Sequence, residues 1–343
     1  MANSMTPGEI YLIEEIDPRT QQPTDYCKIG IVRDKEGRSS EDRAKEHQTG
    51  NPRQLRVKTT VKTEIVEAVE TTLHAMFATM RISGEWFYMT QAEREHAMGV
   101  ASSLAQQAIT GARDMKLAAE LGKTVSSGDL READAESEAA FTLAMCLRIR
   151  IKMIDSLIGE IEDYLRAGIQ KEGGTSKVGQ VQARKGRETF VEAEFKAAFP
   201  DLFTQYAQEK KNVTGSFRWA KFPDEDAADV ADINDLAEAK AAALAVTDAT
   251  KRRDAVHKVY LECLGVRAID QWDFDIAEAT VQVICDIANG INGICTWKRE
   301  EKVKTVLDKT ALKKDHPETY ARFVTVADPT SATVIAKDTG FEH

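Results

Sequence analysis

Glu70 and His74 stand four residues apart in the run TEIVEAVETTLHAMFATMR (63–81). Apolar residues at Val66, Val69, Leu73, Met76 and Phe77 predict a helix with one buried stripe. At about 100° per residue, Glu70 and His74 share a face on the flank of that stripe. A carboxylate held there is partly desolvated and aimed into a cleft. It suits a hard cation such as Mg²⁺, which takes one or two carboxylates plus water and phosphate oxygens. The plain alternative is a solvated helix acid beside a boundary histidine. Arg43 and His47 repeat the four-residue spacing in RAKEHQTGNP (43–52), a run with almost no apolar face. Alone, that pair reads as a solvated polar surface. Tyr11 and Lys28 lie in strand-like runs, where a tyrosine is ordinarily core and a mid-strand lysine points to water.

The elements that would position these residues follow from local pattern. EIYLIEEI (9–16) and YCKIGIV (26–32) read as strands, joined by DPRTQQPTD with Pro18 and Pro23 as punctuation. Ser40, followed by Glu41 and Asp42, starts a short helix that Gly50-Asn51-Pro52 stops. LRVKTTVK (55–62) alternates as a third strand, and GEWFY (84–88) reads as a closing strand after the helix. The first 90 or so residues therefore predict a ββαβαβ unit. Arg53, Arg56, Lys58 and Lys62 form a basic cluster after the TGNP turn. Such a cluster is either a solvated strand edge or, together with Asn51, a set of contacts to a nucleic-acid backbone.

After Thr90 the chain turns rich in Ala, Glu and Leu. Residues 91–121 and 131–170 predict long helices, with a break at SSGD (126–129). KEGGTSKVGQ (171–180) reads as a loop or hairpin, FPDEDAADVAD (222–232) as an acidic linker, and 233–264 as a return to helix. The stretch 139–168, with Leu143, Met145, Leu147, Ile149, Ile151, Met153, Ile154, Leu157, Ile158, Ile161 and Leu165, is either a core helix or an oligomer seam. FKAAFPDLFTQY (195–206) and LKKDHPETYARF (312–323) echo each other at an offset of 117 residues. Each follows a long helix and a glycine-containing segment, and each precedes a sheet-like stretch, which points to two related α+β modules. The whole reads as an α+β protein: 1–95, a helical connector 96–130, module 131–222 and module 230–343.

The order Tyr11, then Lys28-Ile29-Gly30, then Arg43 opening RAKEHQTGNP, then Glu70 and His74, then Gly84-Glu85-Trp86-Phe87 resembles the GIY-YIG nuclease superfamily. The likeness is to its phage-associated branch, which carries KIG as the second motif, and it covers residues 8–89. The resemblance implies metal-dependent endonuclease chemistry on DNA, with Mg²⁺ or Mn²⁺ held by Glu70. Tyr11 would activate the attacking water, and Arg43 would stabilise charge on the phosphoryl oxygens. His74 would serve the metal's surroundings or proton transfer, and Lys28 would lower the Tyr11 pKa. His47 completes the catalytic set. Two departures stand out: the first motif reads Glu9-Ile10-Tyr11, and Lys28 replaces the second-motif tyrosine, with Tyr26 two residues away on the same strand face.

Residues 289–337, with Trp297-Lys298, LKKDHPETYARF and a closing strand, resemble the tail of phage λ-type/YqaJ-type recombination exonucleases, without that family's catalytic acids. This implies a phage or prophage recombination setting, with Lys298 and Arg299 among the nucleic-acid contacts and Lys302, Lys304, Lys313 and Lys314 extending a positive stripe. A partner protein or a homo-oligomer would engage the same modules. The 343 residues carry 42% hydrophobic and 30% charged residues and a net charge of −10. That balance excludes a wholesale nucleic-acid coat but not a local basic cleft. No apolar run suffices for a membrane span, MANSMTPGEI lacks a signal-peptide pattern, and five cysteines form no CxxC pair, so the expected setting is the cytoplasm. The competing class is a non-catalytic DNA- or protein-binding module on a degenerate nuclease fold.

Overall fold

A computed structural model describes residues 6–222 and 233–340, so most of the expected acidic linker at 222–232 lies outside the described residues. The fold is α+β. Its N-terminal part is an antiparallel sheet in the order β3-β1-β2-β5-β4, built from β1 (Gly8–Ile16), β2 (Pro23–Arg33), β3 (Gln54–Thr63), β4 (Arg81–Ser83) and β5 (Trp86–Tyr88). The strand β4 is additional to the expectation. Helix α2 (Val66–Met76) ends sooner than the periodicity predicts, and the chain turns through Gly84, at φ +59°, into β5.

The two faces of β1 separate the chemistry from the main core. Ile10 and Leu12 face α2 and α3 (Gln91–Leu121), and pack with Ile29, Val69, Leu73, Phe87, Met98 and Leu104. Tyr11 and Ile13 face α1 (Ser40–Gln48), against Val32, Ala44 and Leu55. Helix α3 therefore completes the first core with its N-terminal half, where the sequence suggested a connector beginning at 96.

Helix α4 (Ala135–Lys171) lies along a helix of equal length, Ala249–Cys285, and buries Ile154, Leu157, Ile158, Ile161, Leu165 and Ile169 against Val256, Val259 and Cys263. Most of its apolar stripe is used inside the chain, as in a core helix, while Leu143 and Met153 stay exposed. The same Ala249–Cys285 helix meets α2, where Gly265 lets the two backbones approach: a Cβ there would stand 3.1 Å from the Ala75 carbonyl oxygen and from Met76 Cα. Any larger side chain would push the helix that carries Glu70 and His74.

The two echoing segments each fold as a pair of short helices split at a proline, Glu192–Ala198 with Pro200–Tyr206, and Lys309–Asp315 with Pro317–Ala321. Proline fits the first helical position because the amide it lacks would be unpaired there. Phe190, Phe195, Phe199, Tyr320 and Phe323 from both segments form one aromatic cluster, with Phe190 and Tyr320 stacked at 4.5 Å. The halves are interlocked: Gly179–Arg184 pairs with Thr330–Ile335, Glu188–Phe190 with Val324–Val326, and Ala207–Gly215 with Arg299–Leu307. The modules 131–222 and 230–343 thus pair strand to strand and do not stand as consecutive, separate units.

Candidate active site

Helix α1 answers how so polar a helix is held on the sheet. Ser39 and Asp42 cap it reciprocally, and the Ser40 hydroxyl donates to Glu9 at 3.0 Å. At its far end the Gln48 amide donates to the Asn51 and Arg53 carbonyls at 2.9 and 3.0 Å, and accepts from the Leu55 amide at 2.8 Å. Only Ser40 and Ala44 are buried. Hydrogen bonds at both ends thus replace an apolar face and leave Arg43 and His47 turned over the Tyr11 face of β1.

Tyr11 is fully buried, opposite Gly30 in the β1–β2 register. A Cβ on Gly30 would stand 2.5 Å from the Tyr11 hydroxyl oxygen and 2.9 Å from Glu85 Oε2. Glycine is therefore required where the tyrosine, the Glu85 carboxylate and the strand backbone meet. The Lys28 ammonium is buried and hydrogen-bonds that carboxylate. Arg43 lies beside the Tyr11 hydroxyl and acts on it electrostatically, and it also donates to Glu46 at 2.5 Å.

Three buried polar atoms in this cluster lack any hydrogen-bond partner: Tyr11 Oη, Arg43 Nε and His47 Nε2. The Arg43 guanidinium is close enough to draw the tyrosine's proton affinity down, yet neither the Nε–H nor the hydroxyl meets a partner in bonding geometry. Buried orphans of this kind are uncommon in folded proteins and ask for an explanation, such as a bound group.

The proton affinities follow from the same packing. Burial pushes the Tyr11 hydroxyl up to about 12, with the Glu85 and Glu70 carboxylates adding to the rise and Arg43 opposing it. Lys28 is committed to Glu85, so the expectation that it lowers the Tyr11 pKa does not hold. Burial lowers His47, and the nearby Lys28 and Arg43 cations lower it further, which keeps the imidazole neutral. Glu70 is raised to about 7 by burial and then by Glu85, against Arg33, Lys28 and Arg81. His74 falls to about 4 through burial, and its Nε2–H donates to the Ile29 carbonyl at 3.0 Å. That bond fixes α2 to β2 and leaves Nδ1 as the acceptor.

Glu85 is the functional candidate that sequence reasoning passed over. Its place inside the GEWF motif was the available signal. Its charge raises both Tyr11 and Glu70. Two carboxylates this close resist joint ionisation, and a divalent cation between them would relieve that cost. No cluster of three or more metal-ligating side chains occurs among the described residues. The two carboxylates, Glu70 and Glu85, are the donors this region could offer a hard divalent cation, which takes one or two carboxylates and completes its shell with other oxygens.

The expected nucleic-acid contacts are placed differently. Asn51 Oδ1 accepts from the Arg53 amide at 2.9 Å and shapes the turn. Arg53 pairs with Glu15 at 2.5 Å and Arg56 with Glu14 at 3.2 Å, both acids being largely buried on β1. Glu14 lies on the α3 side, and Lys58 lines a cavity of about 340 Å³ there with Leu12, Glu14 and Arg94. The sheet therefore separates Arg56 and Lys58 from Arg43. A register shift in the β1–β3 pairing between Leu12 and Ile13 makes that alternation hard to read from sequence. Tyr26 sits against Tyr88 at 5.3 Å, away from Tyr11.

Arg299, expected among the nucleic-acid contacts, lies in the interior. It is 1% exposed, donates to the carbonyls of Leu121, Asp286 and Ala288, and stacks on Trp297 at 3.9 Å. It closes a helix end and a turn and cannot meet nucleic acid. Lys298 is exposed and pairs with Glu300 at 2.5 Å.

The sheet brings Tyr11, Arg43, His47, Glu70 and Glu85 together beside α1 and α2, and the family comparison for this region suggests a nuclease-like, DNA-related domain. Residues 8–101 match the family model of the T5orf172 domain, a nuclease-associated domain, and the matched region takes in the sheet, α1, α2 and the first third of α3. No curated protein matches the chain, and no solved structure does. None of the described helices is long and apolar enough to cross a membrane.

Proposed function

We propose that residues 8–101 hold a GIY-YIG-type, metal-dependent endonuclease site that hydrolyses phosphodiester bonds in DNA. The observation that carries the reading is the convergence of three unpartnered buried polar atoms, Tyr11 Oη, Arg43 Nε and His47 Nε2, near two interacting carboxylates, Glu70 and Glu85. A phosphodiester supplies what each lacks: oxygens for the arginine and tyrosine donors, and a water whose proton the imidazole takes.

Glu70, with Glu85 beside it, would hold Mg²⁺ or Mn²⁺, which polarises a phosphoryl oxygen and stabilises the leaving oxygen. Arg43 binds the non-bridging oxygens and stabilises the charge that grows on them. Tyr11 stays protonated at neutral pH and orients the attacking water through its hydroxyl. His47, kept neutral by its two cationic neighbours, accepts the water proton at Nε2 in the tautomer that leaves that nitrogen bare. One P–O bond forms, one P–O bond breaks, and the leaving oxygen takes up a proton from solvent. Lys28 holds Glu85 in place. His74 braces α2 and keeps the Glu70 turn against β2.

A second reading, a DNA- or protein-binding module without turnover, draws on the Lys28–Glu85 pair, which occupies the place of the second-motif tyrosine. Incubation of labelled duplex and single-stranded DNA with Mg²⁺, Mn²⁺ or EDTA separates the readings. Metal-dependent cutting by wild type, absent in Glu70→Ala, supports the enzyme. Binding without cutting under every condition supports the module.

A further inference from the structure

The ladder formed by Ala207–Gly215 and Arg299–Leu307 is a two-stranded ribbon of nine facing pairs. At about 3.4 Å per residue it is about 30 Å long. Residues 300–306 on one strand and 208–212 on the other are all exposed, so its middle is bare on both faces. An isolated two-stranded ribbon is at best marginally stable in water. A second ladder joining the halves, Gly179–Arg184 with Thr330–Ile335, is different: Val178 and Ile335 at its end are buried with Ile169 of α4.

Charge is sorted between the ribbon's faces. Facing residues of an antiparallel ladder share a side, so one face carries Lys210 opposite Lys304, Lys302 opposite Asn212, Gln208 opposite Val306 and, at its end, Glu300 opposite Thr214. The other face carries Lys211 and Glu301, which pair at 3.6 Å, and Glu209 opposite Thr305. At the two ends of the ribbon the acids are engaged: Glu300 with Lys298, Glu192 with Lys309 at 3.0 Å, and Asp308 with the Ala311 amide at 2.9 Å. None of the ion pairs among the described residues involves Lys210, Lys302 or Lys304. Two like charges directly opposite in a ladder are destabilising, and none of the ion pairs among the described residues offsets Lys210 and Lys304. In a chain of net charge −10, three unpaired lysines on one bare face form a local site for a polyanion.

We infer that this ribbon is a duplex-DNA arm, with Lys210, Lys302 and Lys304 on the phosphate backbone and the Asn212 and Gln208 amides beside them. A two-stranded ribbon fits the major groove, which is about 12 Å wide, and about 30 Å of ribbon follows nearly one helical turn. The inference rests on the DNA reading above and extends it: the substrate is double-stranded and is held by the interlocked C-terminal halves while the N-terminal domain acts on it.

The test is equilibrium binding of a fluorescent duplex of about 20 base pairs, in EDTA, across a salt series. The full-length proteins are wild type, K210Q/K302Q/K304Q, and the matching triple arginine variant. Each lost phosphate contact lowers the slope of log K against log salt by about 0.9, so the glutamine variant should lose about 2 to 3 from the slope and at least tenfold in affinity at 0.1 M salt. The arginine variant should keep both. Equal thermal melting of the three proteins separates a lost contact from a lost fold, and a glutamine variant that melts early is replaced by the single substitutions. An unchanged slope overturns the inference. So does a loss confined to a single-stranded oligonucleotide, or one seen with polyglutamate and not with the duplex. Cleavage is scored separately on the same proteins with Mg²⁺. A ribbon-dependent slope without any cutting leaves the arm standing and removes the nuclease reading. Cutting with an unmoved slope does the reverse.

Discussion

Glu70→Gln should make this protein more stable at pH 8 and leave it unchanged at pH 4. Glu70 is buried beside Glu85, and its pKa rises from 4.5 to about 7 in the folded chain. The folded state therefore holds a proton that the unfolded state has released, and stability falls as pH climbs from about 4.5 to 7. Above pH 7 the cost is fully present; below 4.5 it is absent. At about 1.36 kcal/mol per pKa unit, the rise from 4.5 to about 7 corresponds to roughly 3 kcal/mol. A glutamine has nothing to ionise, so the variant escapes that cost and should melt roughly 4–5 °C higher at pH 8. Thermal melts of both proteins from pH 4 to 8 read the difference directly. A saturating divalent cation adds a second arm. Mg²⁺ at 100 times its Kd should stabilise wild type by about 2.7 kcal/mol and do nothing for the variant. Equal melting of the two proteins at pH 8 would refute the account of Glu70 as a desolvated acid facing a second carboxylate.

Two further substitutions probe the placement of the site. Gly30→Ala puts a Cβ 2.5 Å from the Tyr11 hydroxyl, and the buried ring cannot retreat, so the variant should lose about 1–3 kcal/mol of stability and most of any cleavage, measured by melting and product formation. Arg299→Met removes the donor to three buried carbonyls and should cost about 3 kcal/mol or more, while the salt slope for DNA stays at the wild-type value. A DNA-binding defect in a well-folded Arg299→Met protein would restore Arg299 to the interface.

How far the sequence led can be argued from single elements. Strands β1 and β3, helix α3 and the paired-helix echo were legible because period-2 or period-3.6 patterning and proline positions report local geometry. Gathering Tyr11, Arg43, His47, Glu70 and His74 required only that strands and helices alternate in order, and the motif spacing carried that. What was hidden depended on pairing across long separations. Arg299 looked like surface charge because its neighbours in sequence, Lys298 and Glu300, are exposed. Its carbonyl partners come from Leu121 and from a turn that only the folded chain brings near. The interlocking of the two halves was invisible for the same reason. Arg56 and Lys58 were misplaced by one register shift in the β1–β3 pairing, since a slip of one residue moves a side chain to the other face. Glu85 was overlooked because its significance lies in the company of Lys28, Gly30 and Glu70, which no local pattern states.

The most direct measurement of the central claim is single-turnover cleavage of a labelled DNA duplex with Mg²⁺, comparing wild type with Tyr11→Phe and Arg43→Lys. The account predicts that wild type cuts, that EDTA abolishes cutting, and that each variant slows it by about 100-fold or more while binding the duplex as before. Cutting by both variants at the wild-type rate would place the chemistry somewhere other than the cluster of Tyr11, Arg43, His47, Glu70 and Glu85.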